Sequence, residues 1–204
     1  MEADFNLRAD ALIAQGQFAK ARALLEAAVR EMPAGWKPCR EGDRSLSIAF
    51  WEQEEFLAHA NHPGEGLAKP VFWVPDSYSK AWYQLGAIAV EEEDFERALS
   101  SIDCGLELEP DHPELWCEKG YILGRLERHE EALQCYLRAG TARDWSPTSY
   151  IARALRGQGV ELIDLGRLDE AEDVLRRALE LEPESDVARN ELEYIEELRR
   201  QREP

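Results

Sequence analysis

The chain has 204 residues, 44% of them hydrophobic and 32% charged, which is typical of a folded, helix-rich protein rather than a disordered one. Its formal charge is −18, which argues against non-specific binding to nucleic acid because the protein's own field repels phosphates. No apolar run approaches the ~18 residues of a membrane span, and residues 1–5 lack the features of a signal peptide, so we expect a cytoplasmic protein without a membrane partner.

Residues 2–35 are predicted to form a first pair of helices. Apolar and small residues recur there at helical spacing, as at Leu12, Ala21 and Ala28. Pro33 is expected to end the second helix, because proline cannot donate the backbone hydrogen bond that would continue it.

Residues 36–78 interrupt the helical pattern and are predicted to form an irregular insert with one helix. That helix is expected from about residue 45 to residue 59, before a segment rich in proline and glycine. Asp76 is a candidate cap for the helix that follows. An alternative function also lies in this insert: residues 62–74 include an apolar run that could cover a binding groove or pair two copies of the chain into a homo-oligomer.

Glu55, His59 and His62 share one face of the insert helix if it continues as far as His62. Carboxylate and imidazole groups at this spacing could ligate zinc, with Cys39 as a fourth ligand, and support a metal-dependent enzyme. Pro63 disfavours a helix that reaches His62, and three such residues fall at helical spacing easily by chance. No nucleophile–base arrangement or phosphate-binding loop is recognisable either. We therefore expect no metal, no cofactor and no enzymatic activity.

Three further helix pairs are predicted at residues 79–112, 113–151 and 152–185. The first two share a tryptophan, a glycine and an alanine at a spacing of 34 residues: Trp82 and Trp116, Gly86 and Gly120, and Ala98 and Ala132. The third pair follows 39 residues later, after a short extension. Such a period is the signature of a repeat protein, because each repeat is one unit that packs against the next.

The start of one helix and the presence of a terminal helix can also be predicted from the sequence. Asp111 is predicted to cap the first helix of the middle pair, with Glu114 as its capping-box partner. Residues 186–204 are predicted to form a capping helix, in which Leu192, Ile195 and Leu198 form an apolar stripe opposite a charged face.

The recurring positions resemble the tetratricopeptide repeat (TPR) pattern, which has a bulky residue, Leu-Gly or an equivalent, alanine, an aromatic or aliphatic residue, alanine and proline. Residues 79–185 are similar to three such repeats, and residues 2–35 to a divergent fourth. The resemblance implies an all-α fold, a right-handed superhelical stack of antiparallel helix pairs with a C-terminal capping helix. It also implies a scaffold or adaptor that binds a peptide segment of another protein in a concave groove.

The resemblance places certain positions of each first helix on the inner surface of that groove. Residues 121–167 hold seven arginines against six acidic residues, although the whole chain is strongly acidic. Since an arginine fork can bind a carboxylate through two parallel hydrogen bonds, we predict a site for an acidic segment or a terminal carboxylate. The predicted peptide-binding residues are Tyr83, Tyr121, Arg125, Arg128, Arg153, Arg156 and Arg167. The alternative is that these arginines pair with neighbouring glutamates on a solvated surface.

Chaperone-binding members of the family hold a terminal carboxylate with lysine and asparagine at set inner positions. The corresponding residues in this chain are Tyr83, Ala87, Cys117 and Tyr121. We therefore do not expect a heat-shock chaperone to dock through that particular clamp.

Overall fold

The computed structural model describes residues 4–62, 69–75, 77–141 and 143–202. Asp76 and residues 63–68 of the insert lie outside the described residues. The chain divides into two compact units, unit 1 (Met1–Asp111) and unit 2 (His112–Pro204). The described residues contain ten helices and three short strands, which confirms the predicted mostly helical fold. None of the described helices combines the length and the apolar character needed to cross a membrane.

Unit 1 contains five helices and a small sheet. The helices are α1 (Phe5–Ala14), α2 (Phe18–Arg30), α3 (Gln53–Asn61), α4 (Tyr78–Glu91) and α5 (Phe95–Leu108). The strands are β1 (Cys39–Glu41), β2 (Leu46–Ile48) and β3 (Val71–Trp73). The sheet has the order β1-β2-β3, with β1 antiparallel and β3 parallel to the central strand.

The insert differs from its prediction. Helix α3 begins at Gln53 rather than near residue 45, because Leu46–Ile48 forms the central strand of the sheet. The sequence did not reveal this sheet, since three-residue strands are too short to show an alternating pattern. Helix α4 is capped by Ser77, whose hydroxyl accepts the backbone N–H of Lys80 at 3.1 Å.

Helices α1, α2 and α4 pack together around small, fully buried side chains. Ala9, Ala21 and Ala81 lie in one apolar cluster with no exposed surface. Close approach also lets α1 and α4 exchange polar contacts: the Asn6 side-chain amide donates to the carbonyl of Ser77 at 2.9 Å. The divergent first helix pair is therefore tied to α4 by both apolar and polar contacts.

Unit 2 contains five helices that pack in chain order. They are α6 (Pro113–Arg125), α7 (His129–Ala139), α8 (Thr148–Asp164), α9 (Leu168–Leu181) and α10 (Asp186–Arg202). The stripe predicted for the last helix is confirmed: Ile195 is buried in the main apolar cluster of unit 2, and Leu192 and Leu198 pack against it.

The start of α6 corrects one prediction. Its cap is His112, whose Nδ1 accepts the backbone N–H of Glu114 at 3.2 Å, so the predicted cap at Asp111 is wrong by one residue. The reason is Pro113, whose fixed φ angle suits the first position of a helix and places the cap immediately before it.

Two glycines make room for the ring of Tyr136 on α7. A Cβ atom at Gly120 of α6 would lie 2.9 Å from this ring, and one at Gly157 of α8 would lie 2.2 Å from it. Tyr136 is buried and packs with Cys117 and Ala154. Helices α6, α7 and α8 therefore meet around a single aromatic side chain, and this close packing fixes the orientation of α6 against α8 inside unit 2.

Candidate functional site

In unit 2, α6 and α8 are the first helices of two predicted helix pairs, and side chains at their predicted inner positions contact one another. We use the name α6–α8 face for Glu114, Tyr121, Arg125 and Arg153. Arg153 of α8 donates to the carboxylates of both Glu114 and Glu118 on α6, with 2.9 Å between Nη2 and Glu118 Oε2. Burial raises the pKa of Glu118, while the positive charge of Arg153 acts to lower it. Arg153 therefore holds two carboxylates, one of them buried.

The other paired arginines of unit 2 contact acidic residues as well. Arg156 donates to Glu182, which follows α9 directly. Arg128 and Arg167 each precede a helix and bind a glutamate three residues later, with all four N–O distances between 2.7 and 2.8 Å. Together with Arg153, these arginines are engaged with the protein's own glutamates, which favours the solvated-pairing alternative for them.

Tyr121 and Arg125 make a contact that leaves an exposed aromatic surface. The Tyr121 side chain is 39% exposed. Arg125 Nη1 donates to the Tyr121 hydroxyl at 3.0 Å, and its guanidinium carbon lies 5.9 Å from the ring centre. An exposed ring beside a guanidinium offers both apolar contact area and a donor for a carboxylate or carbonyl oxygen.

Tyr83 lies in unit 1, where the insert covers it. Its ring centre is 5.2 Å from that of Trp51, which is buried. The carbonyl of Trp51 also accepts from Lys80 Nζ at 3.3 Å, and Glu52 pairs with the same ammonium group at 2.8 Å. The side of α4 that bears Lys80 and Tyr83 is therefore occupied by a segment of the same chain.

Unit 1 also contains a pocket that the sequence did not indicate, with a volume of about 440 Å³. Its aromatic wall comes from the insert, at Phe50, Trp51 and Trp73, and its polar edge includes Asn6 and Lys80. These residues are far apart in the sequence, and only the folding of the insert against α1 and α4 brings them together. An apolar cavity with a few polar groups is suited to hold a side chain of a partner.

Two residues of the hypothetical zinc site, Glu55 and His59, make structural contacts within the insert. The backbone N–H of Trp51 donates to Glu55 Oε2 at 2.5 Å, and the ring of His59 lies 5.5 Å from that of Phe50. Within the described part of the chain, Glu55, His59 and His62 do not place three ligand atoms within 4.8 Å of one another. This arrangement does not support a metal centre in the insert.

Successive helix pairs, glycine-mediated contacts between them and a terminal helix with one apolar face define a helical repeat protein. A family model described as tetratricopeptide repeat matches residues 6–58 and 83–146, and a second model with the same description matches residues 152–185. The chain belongs to the tetratricopeptide repeat family. No curated protein matches its sequence.

Solved structures share this fold. PilF of Pseudomonas aeruginosa superposes with a TM-score of 0.68 at 14% identity, over 97% of this chain and 68% of that protein. The Sgt2 TPR domain from Aspergillus fumigatus gives 0.57 at 20% identity, over 64% of this chain and 87% of the domain. The first TPR domain of Spaghetti (RPAP3), bound to the HSP90 peptide SRMEEVD, gives a TM-score of 0.54 at 24% identity, over 59% of this chain and 94% of that domain. At these identities the likeness shows the fold alone.

Proposed function

We propose that this chain is a non-enzymatic protein-interaction module, a cytoplasmic scaffold or adaptor, and that its α6–α8 face binds a peptide segment of a partner protein. The observation that carries the proposal is the exposed pair of Tyr121 and Arg125 on the first helix of a repeat. The Spaghetti domain, which shares the fold, was solved with an acidic peptide, and this precedent supports a segment of that chemistry. No cofactor is required for such a function.

The remaining arginines contribute a positive rim in this proposal. Arg128, Arg153, Arg156 and Arg167 each keep part of their side chain exposed while pairing with a glutamate. An acidic segment would exchange the exposed pairs of Arg128 and Arg167 for intermolecular ones at a modest net gain, because solvent-exposed ion pairs contribute little. Arg153 would keep its bond to the buried Glu118 and contribute only the exposed part of its guanidinium. Tyr83 is proposed as a contact in unit 1 if Trp51 moves away from it.

Affinity capture from the native cytoplasm, quantified by mass spectrometry, tests the proposal. The Tyr121→Ala/Arg125→Ala variant is expected to retain about tenfold less partner than wild type, because exposed tyrosine and arginine side chains are typical interface hot spots. Tyr194→Ala/Arg189→Ala is the matched control, since it removes the same residue types from exposed positions of α10. Equal retention by both variants would show that the α6–α8 face is not the contact surface.

The alternative assigns the interaction to the insert. Trp51 and Glu52 already occupy the side of α4 that faces ligands in the family, so the insert could act as an internal occluding segment. The insert also presents an edge strand, β3, on which Phe72 is 58% exposed. An exposed aromatic residue on an edge strand is a common site of self-association.

Sedimentation equilibrium distinguishes this alternative. If β3 pairs two copies of the chain, wild type will form a concentration-dependent dimer and Phe72→Asp will be monomeric, since a charge on the pairing surface is costly to bury. Val187→Asp, at a similarly exposed apolar position of α10, is expected to leave the dimer unchanged. A wild-type chain that remains monomeric at its highest soluble concentration would exclude self-association through this strand.

A further inference from the structure

One cluster of metal-capable side chains lies where α7 begins and α8 ends. His129 is the first residue of α7, and Glu161 and Asp164 are three residues apart at the end of α8, so they lie on the same face of that helix. His129 Nδ1 is 2.9 Å from Glu161 Oε2 and 3.7 Å from Asp164 Oδ2. One ligand atom from each residue lies within 4.8 Å of the other two, which is the arrangement a single ion requires.

The buried member of this cluster, Glu161, packs against a glycine of α6, Gly124, where a larger residue would leave no room for its carboxylate. Glu161 is 4% exposed, and a Cβ atom at Gly124 of α6 would lie 2.4 Å from its Oε1. An ionised carboxylate is costly in such surroundings unless a cation compensates it, and a divalent ion would supply two positive charges.

The rest of the cluster is open to solvent and negatively charged. The side chain of His129 is 26% exposed and that of Asp164 is 48% exposed, so an ion can reach the site. The charges that act on His129 come from Glu161, Asp164 and Glu127. All three are carboxylates, and they attract cations to this end of the two helices.

The spacing and chemistry of the ligands indicate which ion fits. Zinc binds imidazole nitrogen and carboxylate oxygen at about 2.0–2.2 Å, which places tetrahedral ligand atoms roughly 3.3–3.6 Å apart. The two distances from His129 Nδ1, 2.9 and 3.7 Å, lie on either side of that value. Imidazole favours zinc and similar transition metals over magnesium and calcium, which take oxygen ligands.

We propose that His129, Glu161 and Asp164 form a site for zinc or a similar divalent transition metal, with water in the fourth position. The ion would join the start of α7 to the end of α8 through three side-chain ligands. This site is separate from Tyr121 and Arg125, and it does not depend on the proposed function. Nothing in the arrangement requires a reaction, so the ion would act by stabilising this end of unit 2.

The test uses the full chain without a histidine tag, stripped with EDTA and dialysed at neutral pH. Calorimetric titration with zinc chloride is expected to show equimolar binding, and cobalt(II) is expected to give the strong visible absorption of a tetrahedral site. His129→Ala and Asp164→Asn should each weaken zinc affinity by at least about tenfold, the loss seen even when an outer-shell partner of a metal ligand is removed. Zinc should also raise the Tm of wild type, since the three ligands are brought together only in the folded chain.

Two controls keep the outcome decisive. Asp164 is half exposed, so Asp164→Asn tests the ligand set without removing a buried side chain, and circular dichroism confirms that the variant is folded. His62→Ala removes a histidine of the insert and is expected to leave zinc binding unchanged. No zinc binding by wild type, wild-type zinc affinity in both site variants, or a loss of affinity only with His62→Ala would each overturn the proposal. In the first case the cluster is an ion pair between His129 and Glu161 alone.

Discussion

Trp51→Ala is expected to lower the free energy of unfolding of unit 1 by about 3–5 kcal/mol, the range for truncating a buried tryptophan. Trp51 is 6% exposed. Its indole N–H donates to Ser79 Oγ at 3.3 Å, its backbone N–H donates to Glu55, and its ring packs on Tyr83. The substitution keeps the backbone contact but leaves a cavity between the insert and α4, and the apolar packing lost there accounts for the expected loss.

Hydrogen exchange followed by mass spectrometry along a urea series measures this loss in unit 1 directly. Peptides from α3 and α4 should lose protection at lower urea concentration than in wild type. Trp73→Ala is the matched control, and we expect a smaller loss because that ring is 41% exposed. A loss below about 1 kcal/mol for Trp51→Ala would contradict the assignment of this residue as a stabilising contact between the insert and α4.

The Trp51 variant also bears on self-occlusion. Removal of this ring uncovers Tyr83, so an occluding insert predicts additional captured partners for Trp51→Ala. An unchanged set of partners would mean that the insert has a purely structural role on α4.

Arg153→Met is expected to destabilise unit 2 by about 2–3 kcal/mol at neutral pH. Removing one partner of a buried ion pair costs roughly 3–5 kcal/mol, and a smaller value applies here because Arg153 is partly exposed. The cost arises mainly from Glu118, which is 7% exposed and keeps its carboxylate between α6 and α8. Urea unfolding of wild type and variant gives the difference.

The pH dependence of this loss follows from Glu118. Burial already raises its pKa above the ordinary value of 4.5, and removal of Arg153 takes away the charge that opposes this rise. A carboxyl with a raised pKa in the folded state gives its full contribution to stability below its unfolded pKa, and this contribution is lost as the pH rises through the folded pKa. The difference between Arg153→Met and wild type should therefore shrink as the pH falls from about 7 towards about 4.

A double-mutant cycle provides the control. In a Glu118→Gln background, Arg153→Met should cost much less, because no buried charge is left without its partner. A loss that is the same at every pH and in both backgrounds would show that Arg153 acts through apolar packing alone.

The same contacts explain why charge reversal at Arg153 cannot report on partner binding: Arg153→Glu would place three carboxylates together and destabilise unit 2.

The repeat positions could be predicted because they depend on local spacing. Glycine and alanine at a fixed period, as at Gly120 and Ala132, are required wherever two helices approach closely, so they recur in register. The second glycine beside Tyr136 was missed because Gly157 has no counterpart in the 34-residue pattern. The three-residue strands of the insert were missed because their pairing depends on contacts between distant segments.

The candidate site was predictable only in part. Arg125 follows Tyr121 by four residues, so their contact along one helix face could have been read from the sequence. Whether Arg153 meets a partner or the protein's own glutamates depends on the distance between α6 and α8, which the sequence does not contain. The cluster of His129, Glu161 and Asp164 could not be predicted either, because it combines residues from two helices. It also requires a residue without a side chain on α6, Gly124, next to Glu161.

Site-specific photo-crosslinking tests the central claim most directly. A benzophenone amino acid in place of Tyr121 should form a covalent adduct with a partner protein in cell extract, and the same group in place of Tyr194 on α10 should not. The adduct at position 121 should become much weaker when Arg125 is also changed to alanine. An adduct formed from position 72 or position 83 but not from position 121 would contradict the account and place the contact on the insert side of unit 1.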